Sequence, residues 1–93
     1  MKYIESLREG EKVNEVYLCK FKQAALTKAG KAYDNVILQD KTGTIDAKIW
    51  DPNSLGIDDF ETLDYIEIMG DVTNFAGALQ LNIKRVRVAR EGE

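Results

Sequence analysis

The chain contains no histidine, one cysteine, one proline and one tryptophan in 93 residues. Without histidine, imidazole acid/base chemistry, Ser-His and Cys-His nucleophile pairs and nearly every zinc site are excluded. The single thiol, Cys19, has no internal disulfide partner, which fits a reducing cytosol. It lies in an apolar strand pattern with no base to activate it, so it is expected to be a small buried hydrophobe. No apolar run approaches the roughly 18 residues of a membrane span. The opening Met1-Lys2-Tyr3-Ile4-Glu5-Ser6 has no continuous apolar stretch, so no secretory signal and a cytoplasmic location are expected. A basic excess is missing as well, because the net charge is −3.

The composition is 44% apolar and 31% charged, enough for one compact core, and residues 1–93 are taken as a single domain. The modest net charge hides a segregation along the chain. Residues 12–50 sum to +3, residues 51–71 to −7 with no basic residue, and residues 72–90 to +4 with no acid. For an anionic ligand the local field matters more than the total. The acidic stretch is expected to cap the barrel away from a positive front.

Tyr3, Ile4 and Leu7 have helical spacing ahead of Gly10, predicting a short N-terminal turn. From Val13 to Lys22 the pattern is strand-like, with Val16 and Leu18 on one face and Tyr17, Cys19 and Phe21 on the other. Apolar residues on both faces suit a strongly bent strand shared by two sheets. Thr27-Lys28-Ala29-Gly30-Lys31 predicts a turn, followed by a second strand from Ala32 to Gln39. Asp40-Lys41-Thr42-Gly43 predicts a hairpin in which Asp40 accepts backbone N–H bonds and Gly43 takes a left-handed position. A third strand runs from Thr44 to Trp50 and ends before Pro52. Asp58-Asp59-Phe60-Glu61 has the form of a helix start, predicting a two-turn helix with Ile57, Phe60 and Leu63 facing one way. A fourth strand, Tyr65 to Thr73, alternates through Ile66, Ile68, Gly70 and Val72. A tip at Asn74-Phe75-Ala76-Gly77 leads to a fifth strand from Leu79 to Val88, where Val86 breaks the alternation and implies a bulge near Lys84-Arg85.

This order predicts an all-β fold, a five-stranded OB-fold Greek-key barrel with one short helix between strands three and four. An SH3-like barrel is the structural alternative, but its connections do not normally place a helix there. Strand parity then separates inside from outside. Val36, Leu38, Ile45, Ala47 and Ile49 point in, and Tyr33, Asn35, Ile37, Gln39, Asp46, Lys48 and Trp50 point out. OB barrels bind oligonucleotides on this outer surface, between the loops joining strands one–two and four–five. The loops contribute Lys28, Lys31 and Phe75, and strand five adds Gln80, Asn82 and Lys84.

That mixture suits unpaired bases. Each base has a π-face that Trp50, Tyr33 or Phe75 can stack on, for about 1–3 kcal/mol per base. Lysines meet phosphates and amides reach base edges. Taken singly, each residue also has a plain structural explanation. An aromatic at a strand end covers the core rim, lysines solubilise a turn, and the Lys84-Arg85-Arg87-Arg90 series discourages edge pairing. Asp51, Asp58, Asp59 and Asp64 lack any EF-hand-like spacing, so no metal site is expected. The argument for binding rests on convergence upon one face.

The stretch from Val36 to Trp50 resembles the LxDxTGxIxxxxW hairpin of anticodon-type OB domains. Together with Tyr3-Ile4, Leu18-Cys19-Lys20, Thr27-Lys28-Ala29-Gly30-Lys31 and Gly77-Ala78-Leu79-Gln80-Leu81-Asn82-Ile83, it resembles the N-terminal OB domain of YhaM-type 3′-to-5′ exoribonucleases across essentially the whole chain. The resemblance implies a module that grips single-stranded RNA or DNA ahead of a metal-dependent HD-domain hydrolase on the same polypeptide. The HD metal ligands have no counterpart here, so neither catalytic residues, metal site nor cofactor is expected in these 93 residues. The rival expectation is a protein-interaction or oligomerisation module that docks on its own catalytic domain, using exposed Ile37 and Met69. A free-standing enzyme lacks any acid/base or nucleophile constellation.

Overall fold

The structure, a computed structural model, describes residues 2–90. A 3-10 turn at Ile4–Ser6 leads into five strands: β1 (Lys12–Leu26), β2 (Ala32–Asp40), β3 (Gly43–Ile49), β4 (Tyr65–Phe75) and β5 (Ala78–Val88). They close in the order β1-β2-β3-β5-β4, with β3 and β5 parallel and every other pair antiparallel. Each strand thereby has two neighbours, although β1 beyond Leu18 pairs with β2 alone and β3 meets β5 over only Asp46 to Lys48.

The bent first strand is borne out. Its first half, Lys12 to Leu18, pairs with β4, and its second half, Leu18 to Leu26, pairs with β2. The two halves are out of phase because Lys20 is an extra residue between the Cys19–Leu38 and Phe21–Ile37 pairs. Tyr17 and Cys19 therefore face the core, but Phe21 does not share their side and is 42% exposed. Burial pushes the Cys19 thiol up in pKa, against the weaker opposing effects of backbone hydrogen bonding at Phe21 and the nearby Lys22 ammonium. The bulge expected in β5 is also present: Met69 pairs with Arg85 and Gly70 with Ile83, leaving Lys84 extra.

The core comprises Val13, Tyr17, Cys19, Val36, Leu38, Ile45, Ala47, Ile49, Ile66, Ile68, Val72, Leu81, Ile83 and Val86, with Ile4 and Leu7 from the N-terminal segment. Asp40 anchors that segment. Its carboxylate accepts the Ile4 N–H at 2.7 Å and, within its own turn, the Thr42 N–H at 2.7 Å and hydroxyl at 2.6 Å. Partial burial acts to raise the Asp40 pKa, but these bonds, with one from the Gly43 N–H, outweigh it and hold the carboxyl below its ordinary value. Gly43 pairs with Asp40 as the first residue of β3 at φ +156°, outside the left-handed well expected for it, so Lys41-Thr42 alone make the turn. At the β4–β5 tip, Ala76 and Gly77 both have positive φ, as a two-residue hairpin of primed type requires.

The helix expected between strands three and four is absent; among the described residues only the 3-10 turn is helical. Competing partners take its backbone. The Asp58 N–H donates to the Val86 carbonyl at 3.0 Å and the Val86 N–H to the Gly56 carbonyl at 2.9 Å, laying Ile57 beside β5 as a parallel bridge. Asp64, rather than Asp58, caps a turn by accepting the Glu61 N–H at 2.8 Å. Phe60 still plugs the barrel end at 2% exposure, but Leu63, expected beside it, is turned out with φ +79°.

Candidate nucleic-acid interface

Strand parity places the expected outward residues on the outer surface of β2, β3 and β5. The ladders make one continuous row from Gln23 through Asn35 and Lys48 to Asn82, and a second from Phe21 through Ile37 and Asp46 to Gln80. Beyond the first row, where β3 ends beside the β1–β2 turn, the Tyr33 and Trp50 rings meet with centroids 5.0 Å apart and planes tilted by 32°. The Trp50 indole N–H donates to Asn82 Oδ1 at 3.1 Å, so one bond ties β5 to the last side chain of the β3 path. Trp50 remains 40% exposed: one ring face rests on Tyr33 while much of the indole is open to a ligand.

The lysines divide into engaged and available cations. Lys48, half-buried in the first row, takes no part in the ion pairs that hold Lys2, Lys12, Lys22, Lys31 and Arg87. Lys28 is exposed on the β1–β2 turn, which Gly30 shapes at φ +82° and the Thr27 N–H closes onto the Lys31 carbonyl at 2.9 Å. Lys31 reaches Asp51 at 3.0 Å. The acidic segment therefore does not lie wholly away from this face as expected, because the chain leaves β3 directly beside the turn. Lys22, on the core-facing phase of β1, is spent elsewhere. Its ammonium donates to the Phe60 carbonyl at 2.7 Å and lies 4.0 Å from the Phe60 ring centroid.

Two expected contributors are separated from the aromatic pair. Phe75, 69% exposed, pairs with Ala78 two residues before Gln80, which lies level with Asp46. At about 3.3 Å per residue this puts it roughly 20 Å along the strands from Trp50. Lys84, on its bulge, lines a recess with Lys12, Met69, Asp71 and Arg85 on the β1–β4 side. There the charge segregation seen along the chain largely cancels: Arg87 meets Glu67 at 2.9 Å and Lys12 meets Asp71 at 3.5 Å. The expected positive front and negative back are thus corrected to paired charges on the β4 side and a few cations around the aromatic pair.

The residue that sequence reasoning missed is Phe21. The bulge at Lys20 brings it to the outer surface opposite Ile37, adding an aromatic to the second row. No local signal marks it, because an outward Lys20 between Cys19 and Phe21 also fits unbroken alternation.

The fold is that of the second OB-fold domain of replication protein A from Methanococcus maripaludis, with a TM-score of 0.70 and 18% identity, covering 99% of this chain and 97% of that one. In sequence the chain is 36% identical over 84 residues to the 3′-5′ exoribonuclease YhaM of Geobacillus sp. (strain WCH70). The chain is an OB-fold domain related to the YhaM exoribonucleases. The aligned segment covers 90% of this chain but only 26% of that relative. No protein-family model matches. Among the described residues, no cluster of three or more His, Cys, Asp or Glu side chains could hold a metal ion, and no helix is long and apolar enough to cross a membrane.

Proposed function

We propose that this domain holds single-stranded nucleic acid, RNA in preference to DNA, as the substrate-gripping module of a 3′-to-5′ exoribonuclease, without a cofactor or catalytic group of its own. The observation that carries the reading is the Tyr33–Trp50 pair, pinned by Asn82 and left open to solvent on the surface that also presents Lys48, Asn35 and Gln80. A base stacks on the open aromatic surface. Lys28 and Lys31 meet phosphates, and Lys48 and the amides meet base edges or ribose hydroxyls. Phe21 and Phe75 extend the path towards the β4–β5 tip. The exoribonuclease activity of the Geobacillus relative, of which this chain matches only 26%, supports RNA as the ligand and a catalytic domain on the same polypeptide.

The sole tryptophan lies in the site, so its fluorescence reports on binding directly. Titration with short single-stranded RNA and DNA should quench it, with RNA binding more tightly. Two phosphate contacts, from Lys28 and Lys31, give a log–log salt slope of about −1.4 on single strands. Trp50→Ala should weaken binding by about fivefold or more, since one stacked base is worth about 1–3 kcal/mol. An unchanged signal together with concentration-dependent self-association would overturn the reading in favour of a protein-interaction module, for which Met69, 44% exposed on the β4 side, offers a contact.

A further inference from the structure

We infer that Asn82 determines base specificity, favouring bases that present two adjacent hydrogen-bond acceptors, cytosine and guanine, over adenine; the inference rests on the strand-binding reading above. An indole N–H can only donate, so the Asn82 atom 3.1 Å from Trp50 Nε1 must be the amide oxygen. The side-chain amide is thereby fixed in one of its two orientations, with its NH2 group turned away from Trp50. Directly across the β3–β5 ladder stands Lys48, whose ammonium is also a donor without an acceptor function. Neighbouring strands lie about 4.8 Å apart, so the two donors flank the same stretch of outer surface next to the aromatic pair.

A base stacked on Trp50 thus lays an edge across two donors. Cytosine meets them with adjacent N3 and O2, and guanine with adjacent O6 and N7. On adenine, N1 and N7 each adjoin the N6 amine, so a donor would face a donor on either edge, and the mismatch leaves polar groups unpaired. Uracil is intermediate, because N3–H separates its two carbonyls. Of the carboxylates near this surface, Asp51 is held by Lys31 at 3.0 Å, and Asp46 lies in the next row opposite Gln80, away from the two donors. Asn35, on the other side of Lys48, has no side-chain bond fixing its amide and can follow either base.

The test compares oligo(C) and oligo(A) RNA of about eight nucleotides, within the usual site size of one OB domain. It uses the wild-type domain, Asn82→Asp and Asn82→Ala, with binding read by tryptophan quenching or, independently, by anisotropy of labelled RNA. The wild type should favour oligo(C) by about fivefold or more, the low end of discrimination by a two-point contact. In Asn82→Asp one oxygen still accepts the indole N–H while the other replaces the outward donor. The C-to-A ratio should fall by a similar factor whatever added charge does to overall affinity. Asn82→Ala, which adds no charge, should lie between the two. The change in ratio between variants cancels the intrinsic self-stacking of oligo(A). Binding of both oligomers with a ratio that the Asp and Ala variants leave unchanged would overturn the specificity inference and leave strand binding standing. Binding of neither oligomer by either readout would overturn both.

Discussion

Gly70 gives the sharpest test of the barrel's geometry. It lies buried in β4 opposite Ile83, next to the bulge at Lys84. A Cβ added there would collide with the Asn82 carbonyl oxygen and come within 3.0 Å of the Asn82 carbonyl carbon and 3.2 Å of Ile83 Cα. All three are main-chain atoms, so no rotamer change relieves the contact and β4 must part from β5. Gly70 is not among the positive-φ glycines, and the cost of Gly70→Ala is therefore steric rather than conformational. Overpacking of this kind costs about 1–3 kcal/mol, and an immovable backbone partner places it at about 3 or above. Against a stability of roughly 5–14 kcal/mol for a domain of this length, that is a substantial fraction. The melting temperature should fall by about 12 °C or more, at roughly 4–8 °C per kcal/mol. Gly77→Ala is the natural control. Its added Cβ meets nothing within 4 Å, so only its φ of +88° opposes the change, at about 1 kcal/mol. Urea denaturation followed by far-UV circular dichroism and by Trp50 fluorescence measures both variants. Displacement of Asn82 should also shift the native emission, because its carbonyl and its indole contact belong to one residue. A Gly70→Ala domain melting within about 2 °C of wild type would refute the close β4–β5 approach.

Two further predictions concern titratable groups. The Tyr17 hydroxyl donates to the Lys2 carbonyl at 2.8 Å, and burial, reinforced by Glu15, Asp40 and Glu11, holds its pKa above the ordinary value. The contribution is whole below the unfolded value of about 10 and is lost as pH climbs from there towards the folded value. Urea midpoints should therefore fall between about pH 9 and pH 11, and Tyr17→Phe should flatten that fall while losing about 1 kcal/mol at neutral pH. Asp40 has the opposite sign. Its folded pKa is depressed, so its stabilisation is present above the unfolded value of about 3.9 and disappears as pH drops through the lower folded value. Asp40→Ala should cost about 1–2 kcal/mol at pH 7, and the gap to wild type in urea midpoint should close towards about pH 3.

Much of the fold was legible because barrel strands obey a period of two. Ile66, Ile68, Gly70 and Val72 occupy one buried face, as their spacing indicates, and Val86 marked the bulge by falling out of step. The helix at Asp58 was misread for a physical reason. Its capping pattern is local, and the competing bonds come from β5 and β1, residues far along the chain that no window around Asp58 contains. Trp50, Tyr33, Lys48, Asn35, Asn82 and Gln80 could be placed on one surface from parity alone. The indole–amide bond between Trp50 and Asn82 depends on the parallel register of β3 with β5, which sequence spacing does not encode. Phe21 was hidden by a single inserted residue. The charge picture failed most widely, since summing along the chain ignores that strands carrying opposite sums are laid side by side.

The carboxylate of Asp51, resting on Lys31 beside the indole, behaves as a resident competitor for any arriving anion. A lone phosphate or chloride would have to evict a tethered group of the same sign and gains little by the exchange. A polymer that brings a flat ring together with its charge is compensated twice for the same displacement. Under the strand-binding reading, such a latch selects for the combination of shape and charge over charge alone.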